Sequence, residues 1–75
     1  MYVISISIDK RAEEVPEVQE VLTKYGKEIV ARLGLHSCEK EDDGLILVVY
    51  KKEDVEAFVE ELNNIKDIMV NYMEI

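Results

Sequence analysis

Leu45-Ile46-Leu47-Val48-Val49-Tyr50 is the longest unbroken apolar run in the chain, and it is rich in β-branched and aromatic side chains. Six such residues behind an Asp43-Gly44 turn signal form a strand too short for a helix and apolar on both faces. A strand of that kind belongs in the middle of a sheet, with neighbours on either side and cover above and below. The rest of the chain is read by asking what could surround it.

Upstream of the run, Glu41-Asp42-Asp43-Gly44 predicts a turn, its Asp-Gly pair favouring a hairpin, and Leu35 to Lys40 predicts a short preceding strand. Val18, Val21, Leu22, Tyr25, Ile29, Val30 and Leu33 recur at three- and four-residue steps, which predicts an amphipathic helix. Pro16 suits its first turn, with a start as early as Arg11 left open, and Gly34 closes it in a left-handed cap with Leu35 behind. At the start of the chain, Tyr2, Ile4, Ile6 and Ile8 alternate with Val3, Ser5 and Ser7 as the two faces of a strand. Downstream, Val55, Phe58, Val59, Leu62 and Ile65 make a second helical stripe, with Glu53 and Asp54 complementing its positive end. Ile68 to Ile75 alternates once more, Ile68, Val70 and Tyr72 against Met69, Asn71, Met73 and Ile75.

The order strand, helix, hairpin, helix, strand, with no linker or low-complexity tract, predicts one domain over residues 1–75. Its class is α+β, a ferredoxin-like β-α-β-β-α-β sandwich. Right-handed crossovers put both helices on one face of an antiparallel sheet in the order 4-1-3-2. The other face is then left with Val3, Ser5, Ser7, Met69, Asn71, Met73 and half of the Leu45 to Tyr50 run. It is half-apolar and uncovered, which predicts a subunit interface and a homo-oligomer, dimer or tetramer.

Composition narrows the function. Seventeen acidic residues against nine basic give a net charge of −8, which repels a phosphate backbone and argues against direct nucleic-acid binding. Cys38 is the single cysteine, so no internal disulfide can form, and a reducing cytoplasm is the natural setting. The first residues carry no basic leader, and no apolar run approaches the roughly 20 residues of a membrane span, so a soluble cytoplasmic protein without membrane attachment is expected.

Few residues carry chemistry. His36 and Cys38 lie two apart on one predicted strand and so share a face, at a spacing that could grip a soft transition metal at a subunit boundary. Two ligands are fewer than zinc needs, so a second subunit or Glu39 and Glu41 would have to contribute. The acidic turn lacks the alternating ligands of a calcium loop. Arg32, at the predicted end of the first helix, would complement its dipole. The only histidine shares a strand with the only cysteine and is badly placed to act as its base, and Gly26, Gly34 and Gly44 are too far apart for a phosphate loop. No enzyme is expected. An acylphosphatase-like hydrolase would rest on Arg11 alone, base-stacking modules need aromatics where Val3, Ser5 and Ser7 stand, and copper chaperones need a Cys-x-x-Cys pair.

Arg32-Leu33-Gly34, the acidic turn, Leu45 to Tyr50, Asp54 and the Leu62, Ile65, Ile68, Val70 series resemble the iron-only hydrogenase system regulator family, small domains related to ACT domains. Val18, Glu20, Leu22, Tyr25 and Ile29 extend the match over nearly the whole chain. This resemblance implies a stand-alone ACT-like regulatory or scaffolding domain that oligomerises and takes a small effector; apart from a transition metal at His36 and Cys38, no cofactor is expected. Leu35-His36-Ser37-Cys38 followed by Asp42-Asp43-Gly44-Leu45 is also similar to the C-terminal regulatory domain of the nickel-responsive repressor, which implies a metal sensor using His36 and Cys38. Gly44 stands where that domain has a ligand cysteine, and Tyr25 where it has a histidine, so half of that site is missing.

Overall fold

The computed structural model describes residues 1–8, 15–36, 44–51 and 53–75. The elements run β1 (Tyr2–Ile8), α1 (Val15–Lys24), a 3₁₀ turn (Gly26–Glu28), β2 (Ile29–His36), β3 (Gly44–Tyr50), α2 (Val55–Asn63) and β4 (Ile68–Glu74). The four strands form one sheet in the order β2-β3-β1-β4, with every neighbouring pair antiparallel. Read from the other edge this is the expected 4-1-3-2, and β3 is central as its two apolar faces require.

The stripes of β1, β3 and α2 find the layers their periods predict. Ile4 and Ile6 of β1 and Ile46, Val48 and Tyr50 of β3 point to the helices, and α2 meets them with Val55, Phe58, Val59 and Leu62. Val18 and Leu22 are the buried positions of α1, and Ile65 closes the end beyond α2. No polar or charged residue lies in this core among the described residues. The last turn before β4 is made at Asp67, whose φ of 63° is a left-handed conformation that an aspartate tolerates better than most side chains.

The first helix is shorter than its stripe suggested. It stops at Lys24, the Tyr25 amide still donating to the Val21 carbonyl, and Ile29 to Leu33 belong to β2. A four-residue step is a multiple of both the strand period and, nearly, the helix period, so Tyr25, Ile29 and Leu33 fit either reading. Local chemistry decides it: Gly26 loosens the backbone, and Ile29-Val30 is a β-branched pair suited to a strand. The hydrogen bond from the Lys51 amide to the Glu28 carbonyl ties the entrance of β2 to the exit of β3. Gly34 consequently is no helix cap. It sits within β2 opposite Ile46, and no glycine has positive φ.

Candidate functional site

The pairing registers place the uncovered face residue by residue. Ala31, Val49, Val3 and Met73 form one row across the sheet, and Leu33, Leu47, Ser5 and Asn71 the next. Leu45, Ser7 and Met69 continue the pattern. The six residues expected to face away from the helices therefore lie together, as adjacent rows on β1 and β4. Leu33, Met69 and Met73 are exposed by 55, 65 and 62 %, large values for side chains of this size. Ser5, Ser7 and Asn71 form a polar band between apolar flanks. Two shallow depressions score the surface, about 230 Å³ beside Val3, Ser5, Asn71 and Met73 and about 240 Å³ between Val3, Ala31, Leu33 and Val49.

Sequence alone misses Ala31 and Leu33 on this face, because the three- and four-residue steps from Val18 to Leu33 read as one helix. Arg32 between them points the other way and donates from Nη2 to Gln19 Oε1 of α1 at 2.8 Å, so it clips β2 to α1 and caps no helix end. The signal that could have found them was the alternation of Ala31, Leu33 and Leu35 ahead of the Asp43-Gly44 turn that leads into Leu45 to Tyr50.

His36 ends β2 opposite Gly44, and Cys38 and Arg11 lie outside the described residues, as do Glu39, Glu41 and the rest of the acidic turn before Gly44. Among the described residues no three His, Cys, Asp or Glu side chains gather as a metal site. No helix among them is long and apolar enough to cross a membrane.

A second constellation lies on the helix side. Phe58 stacks on Tyr50 at 4.9 Å and 8° and meets the tilted ring of Tyr25 at 5.1 Å. The Tyr50 hydroxyl donates to Asp54 Oδ1 at 3.1 Å, which occupies the carboxylate that would otherwise cap α2. Tyr25 donates to Glu61 Oε2, and Lys24 Nζ reaches Oε1 of the same carboxylate at 2.9 Å. These two donors, Tyr25 first, hold the Glu61 carboxyl below its usual range, while the Glu61 hydrogen bond raises both Tyr25 and Lys24. A lowered carboxyl stabilises the fold above the ordinary glutamate pKa and loses that contribution as pH falls through the depressed folded value. Glu61→Gln is therefore expected to flatten the acid limb of stability between neutral pH and pH ~3, checked by urea midpoints across that range. An unchanged acid limb would show that Glu61 is not a titrating link. Glu17, Glu20, Val21, Glu61, Asn64 and Ile65 line an open groove of about 400 Å³ between the helices.

A four-stranded antiparallel sheet in this order, with two helices on one face, defines the ferredoxin-like class. Within it, residues 1–72 match the model of the TM1266-like family, described as "Iron-only hydrogenase system regulator, putative", and the chain belongs to that family. Among solved structures it is similar to uncharacterized protein TM1266 from Thermotoga maritima, with 23% identity, a TM-score of 0.83 and coverage of 96% of this chain and 91% of that one. It is also similar to a "putative antibiotic biosynthesis monooxygenase" from Deinococcus radiodurans, at 13% identity and TM-score 0.56, covering 100% of this chain and 92% of that one. A conserved protein of unknown function, "possible oxidoreductase", from Bacteroides thetaiotaomicron matches at 14% identity and TM-score 0.56, over 99% and 94% of the two chains. At these identities the three structures establish the fold alone. No curated protein matches the chain.

Proposed function

We propose that this chain is a regulatory or scaffolding domain and not a catalyst, and that it works by associating with a second copy through its open sheet face. A small effector would be held in the shallow depressions once a second copy roofs them. The observation that carries this reading is the charge pattern. In a chain of net charge −8, no residue of the rows named above is charged, whereas Glu17, Glu20, Glu56, Glu60 and Glu61 lie on the two helices. Interface centres are depleted of charge in this way, and nothing on the face repels its own copy. Seven-residue strands at about 3.3 Å per residue, four of them about 4.8 Å apart, give a face of roughly 440 Å² in plan. Two copies stacked over it would bury on the order of 1,000 Å² in total, near the lower limit for a specific interface. The association should therefore be concentration-dependent and not obligate.

The test places charge on the β2–β3 half of the face, where Leu33 and Leu47 are neighbours. The Leu33→Lys, Leu47→Lys variant is expected to show at most half the mass of the wild type in light scattering after size exclusion, with unchanged circular dichroism. The variant's mass should be lower than that of the wild type by a factor of two, reaching a single chain of 8.7 kDa where the face is the sole contact. A wild type that stays at one chain at millimolar concentration, or a variant that associates as well as the wild type, sinks the face reading.

A further inference from the structure

The sheet has two edges, and they are built differently. On β2 the register slips between Ile29 and Ala31, and Arg32 follows, both of which discourage another strand from pairing. On β4 the ladder with β1 runs without a slip from Ile68 opposite Ile8 to Glu74 opposite Tyr2, and its seven residues include no Lys, Arg, Pro or Gly. Such an edge is an open template for strand addition.

The direction of its free backbone groups follows from one hydrogen bond. The Ile75 amide donates to the Met1 carbonyl at 2.9 Å, so Ile75 turns its amide toward β1. Backbone groups alternate along a strand, so Met69, Asn71 and Met73 also pair inward, and Ile68, Val70, Tyr72 and Glu74 present theirs outward. A second copy of β4 can meet this edge antiparallel only where even positions face even positions. Centring the pair on Asn71 uses all seven residues: Val70 faces Tyr72 of the other copy, Ile68 faces Glu74, Met69 faces Met73, and Asn71 faces itself. The contents of this register are compatible at every step. Valine–tyrosine is a favourable aromatic–β-branched cross-strand pair, methionine–methionine sets apolar against apolar, and the only charge, Glu74, is opposite an isoleucine and diagonal to Lys66 in the turn before β4.

We infer that β4 is a self-complementary edge that pairs antiparallel with β4 of a second copy, about a dyad at Asn71, to make a continuous eight-stranded sheet. This contact is separate from the open face and does not depend on it. Its dyad stands perpendicular to the sheet, whereas a face-to-face dyad lies along it, so the two together close a tetramer with no free β4 edge.

Two variants test the edge. Tyr72→Pro removes an outward amide that no strand among the described residues uses, a change an edge strand accommodates. It is expected to halve the wild-type mass while the Leu33→Lys, Leu47→Lys variant halves it independently. Asn71→Cys, made in a Cys38→Ser and Leu33→Lys, Leu47→Lys background, reads the register directly. At a non-hydrogen-bonded pair the two sulfurs sit within disulfide reach, so mild oxidation should convert most of the protein to a covalent dimer. Introducing Tyr72→Pro into that background should reduce the covalent fraction at least tenfold. A covalent fraction no higher than that of the Tyr72→Pro control overturns the edge, whatever happens to the face. Loss of association in the Leu33→Lys, Leu47→Lys variant with none in Tyr72→Pro overturns it as well, and leaves the face reading standing.

Discussion

Phe58→Ala is expected to cost about 3–5 kcal/mol and to lower the thermal midpoint by roughly 15–30 °C. Phe58 has no exposed surface, its ring is stacked on Tyr50 and touched by Tyr25, and it stands at the centre of the buried stripe of α2. Removing the ring forfeits its burial and leaves a cavity, because Tyr50 is held in place by its own hydrogen bond to Asp54 and cannot collapse freely into the gap. A domain of 75 residues has on the order of 4–11 kcal/mol to lose, so this one truncation removes between about a quarter and all of it. The measurement belongs in the Leu33→Lys, Leu47→Lys background at low concentration, since association would otherwise add its own stabilisation. Met69→Ala in the same background is the comparison. Its side chain is 65 % exposed, and its cost should stay within about 0.5 kcal/mol. A Phe58→Ala midpoint within a few degrees of the parent would mean that the aromatic cluster is not the keystone of the core.

Much of this core was legible because its residues repeat at one period only. The unbroken Leu45 to Tyr50 run demanded a central strand, and β3 is central; Val55, Phe58, Val59, Leu62 and Ile65 fit a helix and nothing else, and all five are buried. The alternation of Tyr2 to Ile8 and of Ile68 to Ile75 gave the correct inner and outer faces, hence Val3, Ser5, Ser7, Met69, Asn71 and Met73 as neighbours on the open side. Where two periods coincide the pattern is silent. Tyr25, Ile29 and Leu33, spaced by four, extend a helical stripe and equally fill alternate strand positions, so the boundary at Lys24 had to come from Gly26 and from the β-branched pair after it. That single ambiguity moved Ala31 and Leu33 off the open face and Arg32 onto a helix end. Contacts between distant residues were beyond any periodicity. Nothing local connects Tyr25 and Lys24 with Glu61, which a tertiary fold brings together across the helix pair.

The Tyr50 hydroxyl carries the other large effect, at alkaline pH. Burial first, then the hydrogen bond to Asp54 and the negative charge there, push its ionisation well above the ordinary tyrosine value. An unfolded chain releases that proton near pH 10, while the folded chain keeps it. Above that point the unfolded state binds fewer protons, so the stability contribution is complete below pH ~10 and is lost progressively as pH rises toward the elevated folded value. Each such proton removes about 1.4 kcal/mol per pH unit, so Tyr50 alone withdraws roughly 2–3 kcal/mol between pH 10 and 12. Tyr25, raised chiefly by its bond to Glu61, acts in the same direction. Tyr50→Phe keeps the ring stacked on Phe58 but has no proton to lose. At pH 8 it should be less stable than the wild type by about 1 kcal/mol, the worth of one hydrogen bond. Its shallower alkaline slope should carry it past the wild type near pH 11, an order-of-magnitude estimate from those two costs. Urea titrations at intervals from pH 8 to 12 would show the curves crossing, and tyrosinate absorbance would report one fewer late-ionising phenol. Parallel curves that never cross would mean that solvent reaches the Tyr50 hydroxyl in the folded state, contrary to its place between β3 and α2.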